Sequence, residues 1–513
     1  MRLVNLSIQH FKSIAGVKLP RFHSIDVFIG KNNSGKTNIL EAITLFLHAE
    51  CYPENIFDVQ AAEIHAQFQL DAPNCLELKL TCDSATLHCM LSAGQTKSFF
   101  TQTDPAAVKV TIPETHARAF LQQHIVHINT SRLLVEYQRS VDTQIRAGDI
   151  SIFFAQSAYQ ELSEKYPQAY QDFLTSLHHM FPELSFRPDV QLFTQVKELK
   201  ALADMQPGYH IRENSRLRRL ANLGSGYLQL AVILLFLHHP RYHIIILDEP
   251  ENHLHIGLQK KLLARFQAAH GKQIFISTHS PLFVTPELFH SLHRVVKDPH
   301  YATTIYPEIF QAASEVSLPP ASHTASQYTH LSSPTQVSTR YFPYSVDIIR
   351  LAQELNLESN EMLFADHVIL VEGEADEILF KGLVDRFYRG DREVLVLAVH
   401  SNTNFKIYRD VLRYFGIPYC IVTDLDSLHG YIDVVVEALG RRKNMPRSQY
   451  MQELKKNHIY VLPNGSLEDH YPKKYQHYKD SKPFNALRAA RNITPQELAS
   501  PQMAPLSEIL QTL

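Results

Sequence analysis

One short segment near the amino terminus constrains the fold more than any other part of the chain. Residues 30–37 read GKNNSGKT; they follow an apolar stretch, Ser24–Ile29, and precede a stretch of helical spacing, NILEAITLFLH. A strand, a glycine-rich loop and a helix in this order are typical of a phosphate-binding loop. Backbone amides of such a loop wrap phosphate groups, while its lysine pairs with β- and γ-phosphate oxygens and its hydroxyl binds magnesium. The sequence therefore predicts an α/β domain that binds a nucleotide through Gly30, Asn32, Asn33, Ser34, Gly35, Lys36 and Thr37.

A buried strand ending in two acids supports the same interpretation. Residues 244–249 read IIILDE, the arrangement of a Walker B motif. Asp248 would hold the magnesium ion, and Glu249 would orient or deprotonate the attacking water. A helix cap at a strand end is the structural alternative, which the phosphate-binding loop upstream makes less favoured. His279 ends the next strand, IFISTHS, and is similar in position to the switch histidine that senses the γ-phosphate.

A glycine–serine turn, Gly224, Ser225 and Gly226, precedes the most apolar segment of the chain, 230–237. It resembles the signature of ABC-type ATPases, which binds the γ-phosphate of the nucleotide held by the opposite subunit, and this implies a homodimer. The usual signature reads Leu-Ser-Gly-Gly-Gln, so the group that meets the phosphate stays open here. Gln60 is only a weak candidate for the glutamine of the Q-loop.

Composition excludes several classes of protein. The 513 residues predict two or three domains. The longest apolar run is too short to cross a bilayer, no signal-peptide pattern is present, and five cysteines form no CxxC pair, so we expect a cytoplasmic protein with no membrane partner. The formal charge of -3 means that a nucleic-acid surface would be a local basic patch. Without sustained heptads, residues 37–223 cannot form a long coiled coil.

A second set of acids lies beyond a Ser-, Thr- and Pro-rich stretch at 312–340. Glu372 follows the apolar strand VILV, Asp376 lies four residues later, and Asp424 and Asp426 follow the strand IVT. Because the carboxyl ends of parallel strands meet at one edge of a sheet, these carboxylates should converge. Converging carboxylates repel one another unless cations lie between them, and such oxygen ligands suit Mg²⁺ or Mn²⁺.

This pattern resembles the Toprim domain, whose chemistry is metal-assisted phosphodiester transfer. An ABC-type ATPase followed by a Toprim domain resembles the OLD (overcoming lysogenization defect) family of nucleases, which includes the Gabija nuclease subunit. The resemblance implies an ABC/SMC-like ATPase head at 1–335 with a helical insertion at about 140–210, a candidate dimerisation element. A linker at 336–360 and a Rossmann-like Toprim domain at 361–513 would follow. It also implies catalytic and metal-binding roles for Glu372, Asp376, Asp424, Asp426 and Glu468, with Lys482 stabilising charge on the phosphate.

Several points stay open. Lys479 is an alternative to Lys482, and Ser401 and Asn404 either line a phosphate path or cap a turn. Two basic clusters are either phosphate contacts or solvated helix faces: Arg216, Arg218 and Arg219, and Arg441, Arg442, Lys443 and Arg447.

The functional hypothesis is an ATP-binding, ATP-hydrolysing DNA endonuclease or nickase of phage defence. It would use ATP and Mg²⁺ or Mn²⁺ and act as a homodimer or larger oligomer, with a helicase or another defence protein as a further candidate partner. The alternative is a RecF-like DNA-binding repair ATPase whose Toprim domain does not cut.

Overall fold

The computed structural model describes residues 1–47, 63–70, 74–81, 86–93, 108–129, 152–182, 210–213, 216–219, 225–307, 357–428, 432–439 and 446–513. The chain divides into two compact units, Met1–Tyr306 and Pro307–Leu513. The predicted linker and Gln60 lie outside the described residues, so the predicted domain boundaries stay predictions. No helix in the described ranges is long and apolar enough to cross a membrane.

In its described residues, the first unit has two six-stranded sheets and a short two-stranded hairpin. Its strands are β1 (Arg2–Phe11), β2 (Ile14–Leu19), β3 (Ile25–Ile29), β4 (Glu63–Gln69), β5 (Asn74–Thr81), β6 (Thr86–Ala93), β7 (Val108–Thr111), β8 (Ile125–Asn129), β9 (His210–Glu213), β10 (Arg216–Arg219), β11 (Ile244–Asp248), β12 (Gln273–Thr278), β13 (Leu292–Lys297) and β14 (Thr303–Tyr306). Its helices of eight or more described residues are α1 (Lys36–Thr44), α2 (Glu114–His124), α3 (Ile152–Lys165), α4 (Pro167–Met180), α5 (Ser225–His238) and α6 (Ile256–Ala268).

One of these sheets carries the nucleotide motifs. Its order is β14-β13-β3-β12-β11-β8, and all neighbours are parallel except β13 and β14. Strands β3, β11 and β12 are buried along their whole length, as expected of parallel strands covered on both faces. The loops after β3, β11 and β12 therefore open at the same edge of the sheet.

The other sheet is antiparallel, with the order β2-β1-β4-β5-β6-β7. In β1 the apolar side chains of Leu6 and Ile8 are fully buried, in line with the period-two pattern of the sequence. They join a core that also contains Ile39, Ile43 and Phe275. This core packs the helix of the phosphate-binding loop between the two sheets.

The second unit has a four-stranded parallel sheet with the order β16-β15-β17-β18. Its strands are β15 (His367–Val371), β16 (Val394–Ala398), β17 (Tyr419–Thr423) and β18 (Ile459–Val461). Its helices are α7 (Leu357–Glu361), α8 (Glu374–Phe387), α9 (Phe405–Tyr414), α10 (Asp433–Leu439), α11 (Arg447–Lys456), α12 (Lys482–Asn492), α13 (Pro495–Leu498) and α14 (Ala504–Gln511). Residues on both faces of β15 and β17 are buried, as in a Rossmann-like layer structure.

Helices α8 and α12 lie unusually close together. A Cβ atom added to Gly382 of α8 would come 2.5 Å from the Cβ atom of Ala490 on α12. The Arg386 guanidinium of α8 also donates to the carbonyl oxygens of Ala490 and Ile493, each at 2.6 Å, and so caps the carboxyl end of α12. The glycine allows the close approach and the arginine fastens it, which fixes where α12 begins relative to α8.

Candidate nucleotide site and candidate metal centre

The phosphate-binding loop joins β3 to α1 and depends on two glycines. Gly30 has φ 147° and Gly35 has φ 109°, both in the region that favours glycine. A Cβ atom at Gly30 would lie 2.1 Å from the carbonyl oxygen of Val295, and one at Gly35 would lie 2.2 Å from Thr303 Oγ1. Backbone conformation and space therefore both require glycine at these two positions.

The other loop residues curl the backbone around the start of α1. Asn33 also has a positive φ of 62°, and Asn32 and Asn33 are exposed at the turn. Ser34 is buried, its amide donates to the carbonyl oxygen of Lys31 at 3.2 Å, and its carbonyl oxygen accepts from Thr303 Oγ1 at 3.0 Å. The loop is held from both sides and forms a rigid cradle.

Lys36 is buried within the curl of this loop. Its Nζ donates to the carbonyl oxygens of Gly30 and Lys31 at 2.8 and 2.9 Å and lies 2.9 Å from His279 Nε2. Burial lowers the pKa of the Lys36 amine to about 8, although the neighbouring carboxylates, Glu249 first among them, favour the charged form. The amine and the proposed switch histidine are thus brought together.

Asp248, at the carboxyl end of β11, faces the loop. Both of its oxygens lie 3.3 Å from Thr37 Oγ1, Oδ2 lies 3.3 Å from Asn129 Nδ2, and the Ser277 hydroxyl donates to Oδ1. Burial raises the pKa of Asp248, and the hydrogen bonds from Ser277 and Thr37 oppose that shift. A threonine hydroxyl beside a carboxylate is the pair that holds magnesium in phosphate-binding-loop proteins.

Glu249 has a left-handed backbone, with φ 51°. Its Oε1 lies 3.1 Å from His279 Nε2, and its Oε2 accepts from Asn252 Nδ2 at 2.8 Å. These contacts, that with His279 above all, outweigh burial and lower the pKa of Glu249 to about 2, so the carboxylate is ionised at neutral pH. A non-glycine residue in this conformation stores of order 1–3 kcal/mol, and such strain is common at functional sites.

Glu251 is a residue of this site that sequence reasoning missed. Its Oε1 accepts from the His279 amide and from the Thr278 hydroxyl, both at 2.7 Å, while Oε2 is buried with no hydrogen-bond partner. Asn129 and Ser277 were missed as well. The acidic run DEPE was the only sequence signal for Glu251, because its partners lie about 27 residues away along the chain.

The predicted signature is only partly covered by the described residues. Gly224 lies outside them, and Ser225 begins α5. A Cβ atom at Gly226 would come 2.8 Å from the carbonyl oxygen of His253, and Gln229 Nε2 donates to the carbonyl oxygen of Pro250 at 2.7 Å. The start of α5 therefore rests on the turn that follows Asp248 in the same chain.

In the second unit, the acids follow neighbouring strands at the carboxyl edge of the sheet. Glu372 follows β15, Asp424 follows β17, and Glu468 lies in the turn after β18. Asp426 is exposed in the helical turn directly after Asp424. Strand order places β15, β17 and β18 side by side, so parallel pairing brings these chain positions to one edge.

Asp376 also closes the amino terminus of α8. Its Oδ2 accepts from the Gly373 amide at 3.1 Å, which fixes the carboxylate next to the end of β15. Burial, followed by repulsion from Glu372 and Glu468, raises the pKa of Asp376 to about 6 despite this hydrogen bond. One side chain thus serves both the helix and the acidic cluster.

The raised pKa of Asp424 indicates that the acids lie near one another. Burial raises the pKa of Asp424, and the charges of Asp376, Glu372, Asp426 and Glu468 raise it further, to about 7. Burial raises the pKa of Glu372 too. Among the described residues, positive charge does not offset the repulsion within this group of carboxylates.

Glu468 and Lys482 form an ion pair, with 3.1 Å between Oε1 and Nζ. Burial would raise the pKa of Glu468, but hydrogen bonds from Ser466 and Lys482 lower it below its usual value. The neighbouring Asp469 accepts from the Ser466 amide at 3.1 Å and so shapes the turn. Lys479, the alternative to Lys482, lies with its Nζ 5.5 Å from the centre of the Tyr478 ring.

A divalent cation fits this donor set. Glu372 Oε2 is buried without a hydrogen-bond partner, and carboxylate oxygens are the ligands that Mg²⁺ and Mn²⁺ prefer. Among the described residues, no three acidic, histidine or cysteine side chains already stand close enough to coordinate an ion. A bound cation would offset the mutual repulsion of these carboxylates and draw them together.

The loop after β16 reaches the same edge and adds amide side chains. Asn404 Nδ2 donates to the Val399 carbonyl oxygen at 2.9 Å, so Asn404 stabilises the turn. Ser401 Oγ lies 2.9 Å from Thr403 Oγ1. Asn402, which sequence reasoning missed, hydrogen-bonds Glu372 and opposes the rise of its pKa.

The basic clusters are only partly described. Arg216, Arg218 and Arg219 lie on β10, and the Arg447 guanidinium donates to the Pro463 carbonyl oxygen. Arg441, Arg442 and Lys443 lie outside the described residues. Their contact with nucleic acid stays a prediction.

Comparison with known families agrees with this two-part arrangement. Residues 363–426 match the Toprim domain of "Overcoming lysogenization defect protein-like" proteins. Residues 1–151 match the model of an AAA ATPase domain, and residues 112–285 match "AAA domain, putative AbiEii toxin, Type IV TA system".

Two curated relatives are described as nucleases. The OLD nuclease of Thermus scotoductus (strain ATCC 700910 / SA-01) is 23% identical over 501 residues, covering 88% of this chain and 87% of the relative. Endonuclease GajA of Bacillus cereus (strain HuB5-5) is 19% identical over 266 residues, covering 46% of this chain and only 36% of the relative.

Among solved structures, an SMC head bound to the C-winged helix domain of ScpA is 12% identical, covers 59% of this chain and 97% of its own, and gives a TM-score of 0.41, too low to carry an argument. The similarity to OLD-family proteins rests instead on the family models, the two relatives and the order of the two units. The chain is similar to OLD-family proteins: it matches ATPase models at residues 1–151 and 112–285, and an OLD-like Toprim model follows at residues 363–426.

Proposed function

We propose that the protein is an ATP-binding and ATP-hydrolysing, metal-dependent DNA endonuclease or nickase that acts in the cytoplasm in phage defence. The observation that carries the proposal is the convergence of Glu372, Asp376, Asp424 and Glu468 at one sheet edge, where burial and mutual repulsion raise the pKa values of Asp424 and Asp376. The names of the two relatives, an OLD nuclease and an endonuclease, support cleavage as the activity.

The residues that would hold Mg²⁺ or Mn²⁺ are Glu372, Asp376, Asp424, Asp426 and Glu468. A divalent cation there supplies a nucleophile at neutral pH and neutralises charge on a phosphodiester. Asn402 orients the Glu372 carboxylate, and the Gly373 amide fixes Asp376. Lys482 is exposed at the start of α12 and can turn from Glu468 to an incoming phosphate, where its charge would stabilise negative charge.

The first unit would bind and hydrolyse ATP. The loop amides and Lys36 would hold the phosphates, while Thr37 and Asp248 would bind the accompanying Mg²⁺. Glu249 is ionised at neutral pH, so its carboxylate can accept a hydrogen bond from the attacking water and orient it. This favours ATP as a hydrolysed fuel over ATP as a bound regulator.

The proposal includes a homodimer or larger oligomer, in which Gly224, Ser225 and Gly226 of one subunit meet the nucleotide of another. The rigid link from Gln229 to Pro250 would then connect the signature helix with the turn that carries Glu249. A helicase or another defence protein is a further proposed partner. The alternative, a RecF-like repair ATPase with a non-cleaving Toprim domain, is less favoured because the full set of acids is present.

The test is incubation of supercoiled plasmid with full-length protein, Mg²⁺ or Mn²⁺, and with or without ATP. Asp424→Ala should abolish nicking and linearisation. Lys36→Ala should alter only the way in which ATP changes cleavage. Asp391→Ala is the matched control, because this exposed acid precedes β16 at the opposite edge of the sheet. Wild-type protein that binds DNA and hydrolyses ATP without cutting under any condition would support the repair ATPase instead.

A further inference from the structure

Two exposed aromatic side chains flank Lys482 in the second unit. Tyr478 is 87% exposed and Phe484 is 57% exposed, and they lie four residues before and two residues after this lysine. They are two of the five large hydrophobic side chains that are exposed among the described residues, and both fall within seven residues of the chain. We refer to Tyr478, Lys479, Lys482 and Phe484 as the aromatic platform.

The platform is held by a fixed network and is not a loose turn. Arg488 of α12 pairs with Asp480 at 2.5 Å and donates to the Tyr475 carbonyl oxygen at 3.2 Å. Asn485 accepts from the His477 amide at 2.9 Å and donates to the His477 carbonyl oxygen at 3.2 Å. These contacts tie the turn that carries Tyr478 to the helix that carries Phe484, so both rings are presented at little further entropic cost.

A basic side chain lies beside each ring. The His477 ring stacks on Tyr478, with centroids 5.3 Å apart and 19° between the planes, and Lys479 Nζ lies 5.5 Å from the Tyr478 ring. The Arg488 guanidinium carbon lies 6.0 Å from the Phe484 ring. Residues 473–491 contain six lysines and arginines against one aspartate. Basic side chains would not favour an apolar protein partner, whereas they would favour a nucleic acid, which carries negative phosphates and flat bases.

Aromatic rings beside lysine and arginine are the means by which proteins hold unpaired bases. Each exposed base presents a flat face that stacks on a protein ring, and the adjacent phosphates are drawn by the positive charge. In a duplex the base faces are covered by their neighbours, so stacking on the protein requires a base that is unpaired or flipped out.

We propose that Tyr478 and Phe484 stack on unpaired bases next to the phosphodiester that reaches the Toprim acids, so that the substrate is single-stranded or locally opened DNA. This rests on the proposed nuclease function for its biological meaning, but the stacking itself can be measured without cleavage. Lys482 lies between the two rings in sequence and 3.1 Å from Glu468, which places the platform at the margin of the acidic cluster.

The experiment measures binding of fluorescein-labelled single-stranded DNA and of the same sequence as a duplex, by anisotropy. It uses full-length protein carrying Asp424→Asn, which prevents cutting. Tyr478→Ala and Phe484→Ala should each weaken single-strand binding by roughly tenfold, and duplex binding by less than about threefold. Tyr478→Phe keeps the ring and should bind like the parent.

Two controls separate stacking from charge and from general surface effects. Tyr301 is an exposed tyrosine of the first unit, and Tyr301→Asn should leave binding unchanged, since asparagine tolerates its left-handed backbone (φ 61°). Lys479→Gln should reduce the salt dependence of binding, whereas Phe484→Ala should not.

Equal losses for single strand and duplex, or no loss for either, would overturn the proposal. A change of oligomeric mass in Tyr478→Ala or Phe484→Ala, with DNA binding intact, would instead identify the platform as a protein interface. If wild-type protein never cuts DNA while the ring variants still lose single-strand binding, the nuclease proposal fails and the platform stands.

Discussion

The two acidic sites of this chain differ in how the negative charge of their carboxylates is balanced. In the first unit, Asp248 receives hydrogen bonds from Thr37, Asn129 and Ser277, and Glu249 is held by His279 and Asn252. In the second unit, the acids repel one another, and Lys482 forms an ion pair with Glu468 alone in the described contacts.

The pKa values express this difference. In the first site the pKa of Glu249 is lowered to about 2, and burial raises that of Asp248 against the hydrogen bonds from Ser277 and Thr37. In the second site several neighbouring carboxylates add to burial and raise the pKa values of Asp376 and Asp424 to about 6 and about 7. A site whose acids are balanced by its own donors is preassembled, and a site whose acids are unbalanced depends on cations from solution. We therefore expect the first site to tolerate the loss of divalent cations structurally, while the second site changes with them.

The largest expected effect separates the two chemistries. Asp424→Asn should reduce DNA cleavage by about a thousandfold or more and leave ATP hydrolysis within about twofold, because the carboxylate belongs to the second site. Glu249→Gln should instead strongly reduce ATP hydrolysis while ATP binding persists. Rates of phosphate release and plasmid cleavage check both, and loss of both activities in either variant would show that the sites are not separable.

Lowering the pH should destabilise both units, since each has a buried neutral histidine. Burial lowers the pKa of His239 and of His367 to about 4. A histidine with a lowered pKa in the folded state favours unfolding when it is protonated. Its contribution is therefore complete above about pH 6.5 and is lost as the pH falls towards 4.

From pH 7 to pH 5, each histidine should lower the free energy of unfolding by up to about 2 kcal/mol. His367→Phe should remove this dependence from the second unit, because both ring nitrogens of His367 lack hydrogen-bond partners that the substitution would break. Denaturant titrations at several pH values provide the measurement. An unchanged pH profile in the variant would contradict the assignment.

Glu251 tests whether the first site is preassembled. Glu251→Ala should lower the turnover number for ATP about tenfold with little change of KM, since the His279 amide and Thr278 hydroxyl lose their acceptor. Glu251→Gln keeps that acceptor and should stay within about threefold of wild type. Equal losses in both variants would mean that the charge of Glu251 matters, and not its position.

The smallest expected effect concerns stability without metal. Asp424→Asn removes repulsion from Asp376 and Glu372 and should raise the melting temperature of metal-free protein by a few degrees, about 1 kcal/mol. Mn²⁺ should raise the melting temperature of wild type and do so less in the variant. Asp248→Asn is the comparison, where the oxygen that accepts from Asn129 is replaced by an amide nitrogen and a lower melting temperature is expected. A lower value in Asp424→Asn would break the contrast between the sites.

Sequence alone predicted the parts of both candidate sites that depend on short local patterns. Asp248 ends β11, and Glu372 and Asp424 directly follow β15 and β17, so strand-end placement alone puts these three at a sheet edge. Lys36 begins the helix after β3, as the phosphate-binding-loop pattern predicts. The ATPase and Toprim fold classes followed from the order of those motifs, and the family models agree with them.

The remaining contacts join residues that are far apart in the chain. Asn129 meets Asp248 across 119 positions and Thr37 meets Asp248 across 211 positions, so no local pattern marks Asn129. The same holds for the division of labour in the turn after β18, where Asp469 shapes the backbone and Glu468 pairs with Lys482. The sequence NGSLED offers two adjacent acids, and only the folded turn distinguishes them.

The contact between Gly382 and Ala490 has a consequence for how this site can drift in evolution. These two small residues set the distance between α8 and α12, and hence how far the Lys482 side chain must reach to the carboxylates. We expect positions 382 and 490 to vary as a pair among relatives, with a larger residue at one matched by glycine at the other. A lineage could therefore lose cutting without altering any acid or lysine, through a single methyl group placed between two helices.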